Sequence, residues 1–279
     1  MTSSVKFASP TFLFRDESVT NLHQIMDRLA QIGFDGLELY GMFGWESSDI
    51  LRFMKSSKLT ILCDHIRYQE FSENTEQVIV KRTALGVEFL TIDQIPAHLL
   101  PGTRGFSECV REIERISRLC KNHGVQLLYH NHGYDLITKV DGVPILDLIL
   151  DSIDPEVLKF QPDLGWIALG GGDPVYYLDK YQARCPIIHL KDYYASLPTL
   201  LESPFLLGSE RGGEEYNHFE FRPSGYGVMN YPSLMPKIMA CKPRWITTDH
   251  DLSYERDTYE DMKMGLDYTK YLVEIHHHL

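Results

Sequence analysis

His130, Asp163, His189 and Asp249 each stand at or just past the end of a short apolar run, at residues 125–129, 157–160, 186–190 and 245–248. Two imidazoles and two carboxylates make a mixed nitrogen and oxygen donor set. Such a set suits Mn²⁺, Fe²⁺, Co²⁺ or Zn²⁺; Mg²⁺ and Ca²⁺ prefer mostly oxygen and fit it less well. One divalent ion held by these four side chains would keep coordination positions for water or for a substrate binding through two oxygens. For any one of the four, the plainer account is that polar residues gather where a strand gives way to a loop. Four of them on adjacent strands favour a site.

Those residues need a scaffold that delivers strand ends to one rim. Strands beginning at roughly 6, 36, 59, 87, 125, 157, 186 and 245 alternate with helical patterns. The helices are expected at 18–32, 49–57, 72–85, 105–123, 144–150, 231–240 and 257–274. In the first, Leu22, Ile25, Met26, Leu29 and Ile32 share one face, and Gly33 closes it. A further helix opens at Asp173-Pro174, with proline in a first turn where its missing N–H costs nothing. The strand runs read as buried on both faces, as parallel sheets require. Eight such units predict an α/β fold, a closed (β/α)8 TIM barrel, as one domain over 1–279. The connection 193–231 lacks a long apolar period and is rich in Gly and charge. It is expected to be a lid or substrate-binding loop on the catalytic face, with Arg211, His218 and Arg222 as polar contacts.

The chain has 279 residues, 43% of them hydrophobic, and a formal charge of −12. That balance disfavours nucleic acid and anionic membranes as partners, both of which need a basic patch. A phosphorylated substrate stays open, since a local cationic cluster would suffice. Cys63, Cys109, Cys120, Cys185 and Cys241 are scattered and never fall as CxxC, which suggests free thiols in a reducing compartment. The start MTSSVKFASP lacks the pattern of a signal peptide, and no apolar run approaches a membrane-spanning length. The expected location is cytoplasmic. No P-loop or dinucleotide fingerprint occurs.

The segments YHNHGYDL, DLGW with GGGDPVYYLDKY, IIHLKD and WITTDHD, taken in order, resemble the xylose isomerase-like TIM barrels, the sugar phosphate isomerase/epimerase superfamily. IGFDGLELY and SGYGVMNYPSLM fit as well, so the likeness runs along nearly the whole chain. The resemblance implies one divalent metal on a Glu, an Asp, a His and a Glu from strands five to eight. The matching positions are His130, Asp163, His189 and Asp249, with His132 as the fallback for the first. Glu38 and His65 match polar positions lining the substrate cavity, and Lys191 follows the metal histidine.

Two departures bear on the reaction. Superfamily epimerases shuttle a proton between two metal-bound glutamates on opposite sides of the substrate; here one is His130 and the other the shorter Asp249. The family's dehydratases and lyases, acting on keto-inositols and keto-sugars, need only a metal and one base. The expected chemistry is metal-assisted proton abstraction next to a carbonyl of a small carbohydrate, with Asp249, His65 and Glu38 as candidate bases. His132, Lys191, Trp166 and Arg222 are the expected substrate contacts. An isomerase or epimerase is the first reading and a dehydratase the alternative. A three-zinc DNA-repair endonuclease and a non-catalytic sugar-binding barrel are carried behind them. Barrels of this kind often pair, so a homodimer is one option and the oligomeric state stays open.

Overall fold

The computed structural model describes residues 5–100, 105–195 and 219–277. In chain order its strands are β1 (Lys6–Pro10), β2 (Gly36–Tyr40), β3 (Thr60–His65), β4 (Phe89–Ile92), β5 (Gln126–His130), β6 (Lys139–Val140), β7 (Val143–Pro144), β8 (Leu158–Gln161), β9 (Ile187–Ala195), β10 (Phe219–Arg222) and β11 (Trp245–Asp249). Parallel neighbours run β9-β11-β1-β2-β3-β4-β5-β8, and β10 pairs antiparallel with β9. The ring closes between β8 and β9 through a parallel bridge at Asp163 and His189, with His189 N–H on the Pro162 carbonyl at 2.9 Å. This is the TIM barrel that the βα alternation predicts. The β6–β7 hairpin stands apart from it.

The barrel follows from two hydrophobic layers. Inside, Ala8, Leu62, Cys63, Phe89, Leu128, Ile187 and Trp245 form one buried cluster contributed by six strands. Outside, helices cover the sheet. Arg15–Ile32 buries Leu22, Ile25, Met26 and Leu29, the spacing that places them on one stripe. Phe106–Asn122 does the same with Cys109, Ile113, Ile116 and Cys120. Toward the carboxyl ends the interior becomes polar: Glu38, Gln161, Thr247 and His189 meet one another there. The hydrophobic layer thus ends where the polar one begins.

The expected helix at 72–85 is two helices, Tyr68–Glu73 and Thr75–Thr83, broken at Asn74 with φ −133° and ψ 34°. Asparagine competes with its own backbone for hydrogen bonds and favours such breaks. β9 runs past its expected end at 190 to Ala195, because its extension pairs with β10. A short helix, Leu164–Leu169, follows β8 in addition to the expected elements; the Asp163 side chain caps it. Arg211 and His218 lie outside the described residues, as does most of the expected lid. Among the described residues no helix is long and apolar enough to cross a membrane.

Candidate active site

His130 is the last residue of β5, His189 the third of β9 and Asp249 the last of β11, while Asp163 follows β8 by two. The barrel brings one ligand atom from each to within 4.8 Å of the other three, and all four side chains are buried. Asp163 is the most firmly set. Its Oδ1 accepts Trp166 N–H at 2.8 Å, and Asn131 clasps its backbone, Oδ1 accepting its N–H and Nδ2 donating to its carbonyl. Gly165 lets the capped helix close on β9, since a Cβ there would strike the Lys191 carbonyl. Sequence positions 163 to 166, the DLGW motif, are therefore a device for aiming Asp163.

The donor chemistry fits a divalent cation. Asp163 Oδ2 and His130 Nδ1 are buried without a hydrogen-bond partner, a costly state for polar atoms unless something else satisfies them. Burial, reinforced by the charges of His189 and His132, holds His130 well below the usual histidine range, so its imidazole is neutral. A neutral imidazole and an unpartnered carboxylate oxygen are what a metal site needs.

A second buried group, Glu38, His65 and His189, is of another kind. Glu38 Oε1 accepts from His189 Nε2 at 2.9 Å and from the Thr247 hydroxyl. Its Oε2 accepts from His65 Nε2 at 2.9 Å and Gln161 Nε2 at 2.7 Å. Although burial opposes it, the His189 and His65 interactions hold Glu38 well below the usual carboxylate range. Every lone pair is engaged, so this group is satisfied as it stands. Glu38, expected among the candidate bases, instead orients two histidines. It accepts from His189 Nε2, while His189 Nδ1 donates to Asp249 Oδ2, 2.9 Å away, on the side of the four-residue group. Carboxylates on both ring nitrogens carry the His189 pKa up to about 10, although burial opposes the charge.

The cavity above is lined by Glu38, Tyr40, His65, Asp93, His130, His132, Trp166, His189, Lys191, Asp249 and Asp251, among others. The expected site residues Glu38, His65, His130, His132, Trp166, His189, Lys191 and Asp249 are therefore all at its wall, with Asp163 behind them. His132 belongs to the wall and not to the four-residue group: its Nδ1 meets the Asp93 carbonyl at 2.8 Å and its ring packs 5.2 Å from Trp166. Lys191 Nζ lies 2.7 Å from Asp251, 2.9 Å from Asp249 and 3.7 Å from Asp163, and 5.5 Å from the Trp166 ring centre. Burial opposes its charge, but those three carboxylates push its pKa up. Lys191 and His189 in turn hold Asp249 well below the usual range against the effect of burial. Burial would also depress His65, yet hydrogen bonds to Asp93 and Glu38 carry it up to about 9.

Arg222 does not join them. It sits on β10 with its guanidinium on Glu220 and is absent from the cavity wall. Its neighbour Asp192 has the structural role: its carboxylate accepts N–H groups of Tyr193, Gly225, Gly227 and Met229 at 2.8–3.0 Å. Gly227 is glycine because a Cβ would strike that carboxylate. Asp93 is the residue sequence reasoning overlooked. It follows directly on the apolar run at 87–92, the same signal that marks His130 and Asp249, and its Oδ2 lies 3.5 Å from His65 Nδ1.

A metal-capable, acid-lined pocket at the carboxyl rim of a (β/α)8 barrel defines the class. The family model described as Xylose isomerase-like TIM barrel matches residues 26–248, and the chain belongs to that family. Among its relatives is an inosose dehydratase of Mesomycoplasma hyopneumoniae (strain 7448), 22% identical over 89% of this chain and 87% of that protein. An inosose dehydratase of Bacillus cereus (strain AH820) is 30% identical over 80 residues, 29% of this chain and only 26% of that protein. Similar solved structures include a sugar phosphate isomerase/epimerase from Parabacteroides distasonis, with a TM-score of 0.72, 19% identity and coverage of 95% and 93%. The probable 3-DHS dehydratase of Bacillus anthracis superposes with a TM-score of 0.73 at 17% identity, covering 95% and 99%. At those identities the structures speak for the fold.

Proposed function

We propose that this chain is a divalent-metal-dependent lyase that removes water from a cyclic keto-polyol of the inosose class. The observation that carries the reading is the asymmetry of the four-residue group. One flank offers the ionised carboxylate of Asp249; the other, where an epimerase needs a second carboxylate, offers the neutral imidazole of His130. Proton exchange on both faces of a carbon has no symmetrical pair of bases here, whereas elimination needs one base and one acid. The isomerase or epimerase reading therefore yields to the dehydratase, in keeping with the relatives named inosose dehydratase.

His130, Asp163, His189 and Asp249 would hold the ion, which when bound polarises a carbonyl and its adjacent hydroxyl as a Lewis acid. Asp249 is the base for the proton next to the carbonyl, kept ionised by Lys191. His65, protonated at neutral pH and held on Nε2 by Glu38, would deliver the Nδ1 proton, which faces Asp93 Oδ2 at 3.5 Å, to the departing hydroxyl. His132, Lys191 and Trp166 position the ring. The partner is thus a small carbohydrate, and neither nucleic acid nor membrane.

Incubating Mn²⁺-loaded protein with an inosose in D₂O and following products by mass spectrometry tests this. Loss of one water, abolished together with metal binding in His189→Ala, is expected. Deuterium wash-in or a new stereoisomer without loss of water would return the assignment to an epimerase.

A further inference from the structure

A second and larger cavity adjoins the first, and Tyr40 and His65 line both. The inner cavity is acidic: Glu38, Asp93, Asp249 and Asp251 line it and Lys191 is consumed by three carboxylates. The outer one has the opposite balance. Arg15, Arg67, Lys81 and Arg82 line it against Asp16 and Glu70. Its floor is a closed ion-pair network in which buried Arg82 holds Asp64 and reaches Glu70 at 3.2 Å. That accounts for Glu70. Arg67 and Lys81 are exposed, and among the described residues neither forms an ion pair with a carboxylate. Arg67 interacts electrostatically with the Tyr40 phenol, and Tyr40 lines both chambers. The amides of Asn74 and Gln77 add neutral donors to the same wall.

We propose that the outer chamber is an anion subsite, and that it favours cyclic keto-polyols bearing a carboxylate or phosphate on the side of the ring away from the reacting carbonyl over the uncharged inososes of the same class. The specificity rests on the keto-polyol reading of the inner site; the subsite itself does not. In the inner cavity Lys191 is already engaged by three carboxylates, whereas Arg67 and Lys81 of the outer chamber are exposed cations without a carboxylate partner among the described residues. On a chain of net charge −12 such a local cationic patch is also what draws an anionic ligand to the mouth. Arg67 supplies a planar fork that binds either oxyanion through two N–H groups, and Lys81 a second charge.

The test uses three ring probes at constant ionic strength: cyclohexyl phosphate, cyclohexanecarboxylate and neutral cyclohexanol. Binding is read by tryptophan fluorescence, since Trp45 lines the outer chamber. At least one anion saturates and cyclohexanol does not; Arg67→Gln weakens the anion by about tenfold or more and Lys81→Gln weakens it less. Which anion saturates tells carboxylate from phosphate. Asp163→Asn, which disables the four-residue group, leaves anion binding unchanged. Failure of the dehydratase reading would therefore leave this result standing. Absence of saturation by both anions, or equal affinity in wild type and Arg67→Gln, overturns the subsite.

Discussion

Glu38 shows how much a single side chain settles here. Four donors converge on its two oxygens from β3, β8, β9 and β11, so it cannot accept a substrate proton without breaking one of these bonds. Its effect is exerted through His189, whose Nε2 it engages while Nδ1 faces Asp249. Glu38→Gln keeps the volume but sets an amide N–H₂ against at least one donor. Metal affinity is expected to fall about 10- to 100-fold, the usual cost of losing the carboxylate behind a ligating histidine, while the fold survives. Titration of Mn²⁺ or Zn²⁺ into both proteins decides it, and equal affinities would remove Glu38 from this role. The four ligand candidates were legible in sequence because each stands at or near the end of an apolar run. The role of Glu38 was not, because a residue in mid-strand gives no sign of what faces it across a barrel. Arg222 misled for a related reason: loop position says nothing about a nearby Glu220.

At the scale of elements, the eight barrel strands, their order and the helix faces could be read from periodicity, while connections and the three further strands could not. The helix Leu164–Leu169 and the antiparallel β10 depend on one cap and one pairing that no period announces. The last helix, Thr258–His277, is a case where local electrostatics fix an element in place. Asp261 in its first turn accepts from Arg256 Nε at 2.6 Å and His250 Nε2 at 3.2 Å, tying the helix to the end of β11. Burial opposes its charge, yet these hydrogen bonds lower its pKa to about 2 from an ordinary 3.8. A depressed carboxylate stabilises the fold above its unfolded pKa and loses that contribution as pH falls through the folded one. Asp261→Asn is accordingly expected to cost about 2 kcal/mol near pH 7, with the difference from wild type shrinking between about pH 4 and 2. Urea denaturation across that range is the measurement; a gap that persists unchanged at pH 2 would mean that shape, not charge, holds the helix.

For the whole molecule, the closure of the barrel and the site are the same piece of structure. Between β8 and β9 the sheet has one isolated bridge, and its two residues, Asp163 and His189, are both in the four-residue group. β5 and β11 supply the other two, so a cation here would tie together the four strands around the weakest junction of the ring. Ligand that binds only the folded state stabilises it by mass action, by about 2.7 kcal/mol at a hundredfold excess over Kd. In a chain of this size that is a rise in Tm of roughly 5–10 °C. Saturating Mn²⁺, Co²⁺ or Zn²⁺ should therefore raise the melting temperature of the chelator-treated protein, at about one equivalent bound, and Asp163→Ala should lose both effects. The same titration weighs the nuclease reading. Three ions would require Glu38 and His65 to abandon bonds that already satisfy them, on a surface of net charge −12 that repels DNA. A binding curve that levels off near one equivalent, with abasic DNA left uncut, excludes it. Two or three equivalents would show that the hydrogen-bonded group opens to metal, and would shift the assignment from keto-polyols toward phosphodiesters.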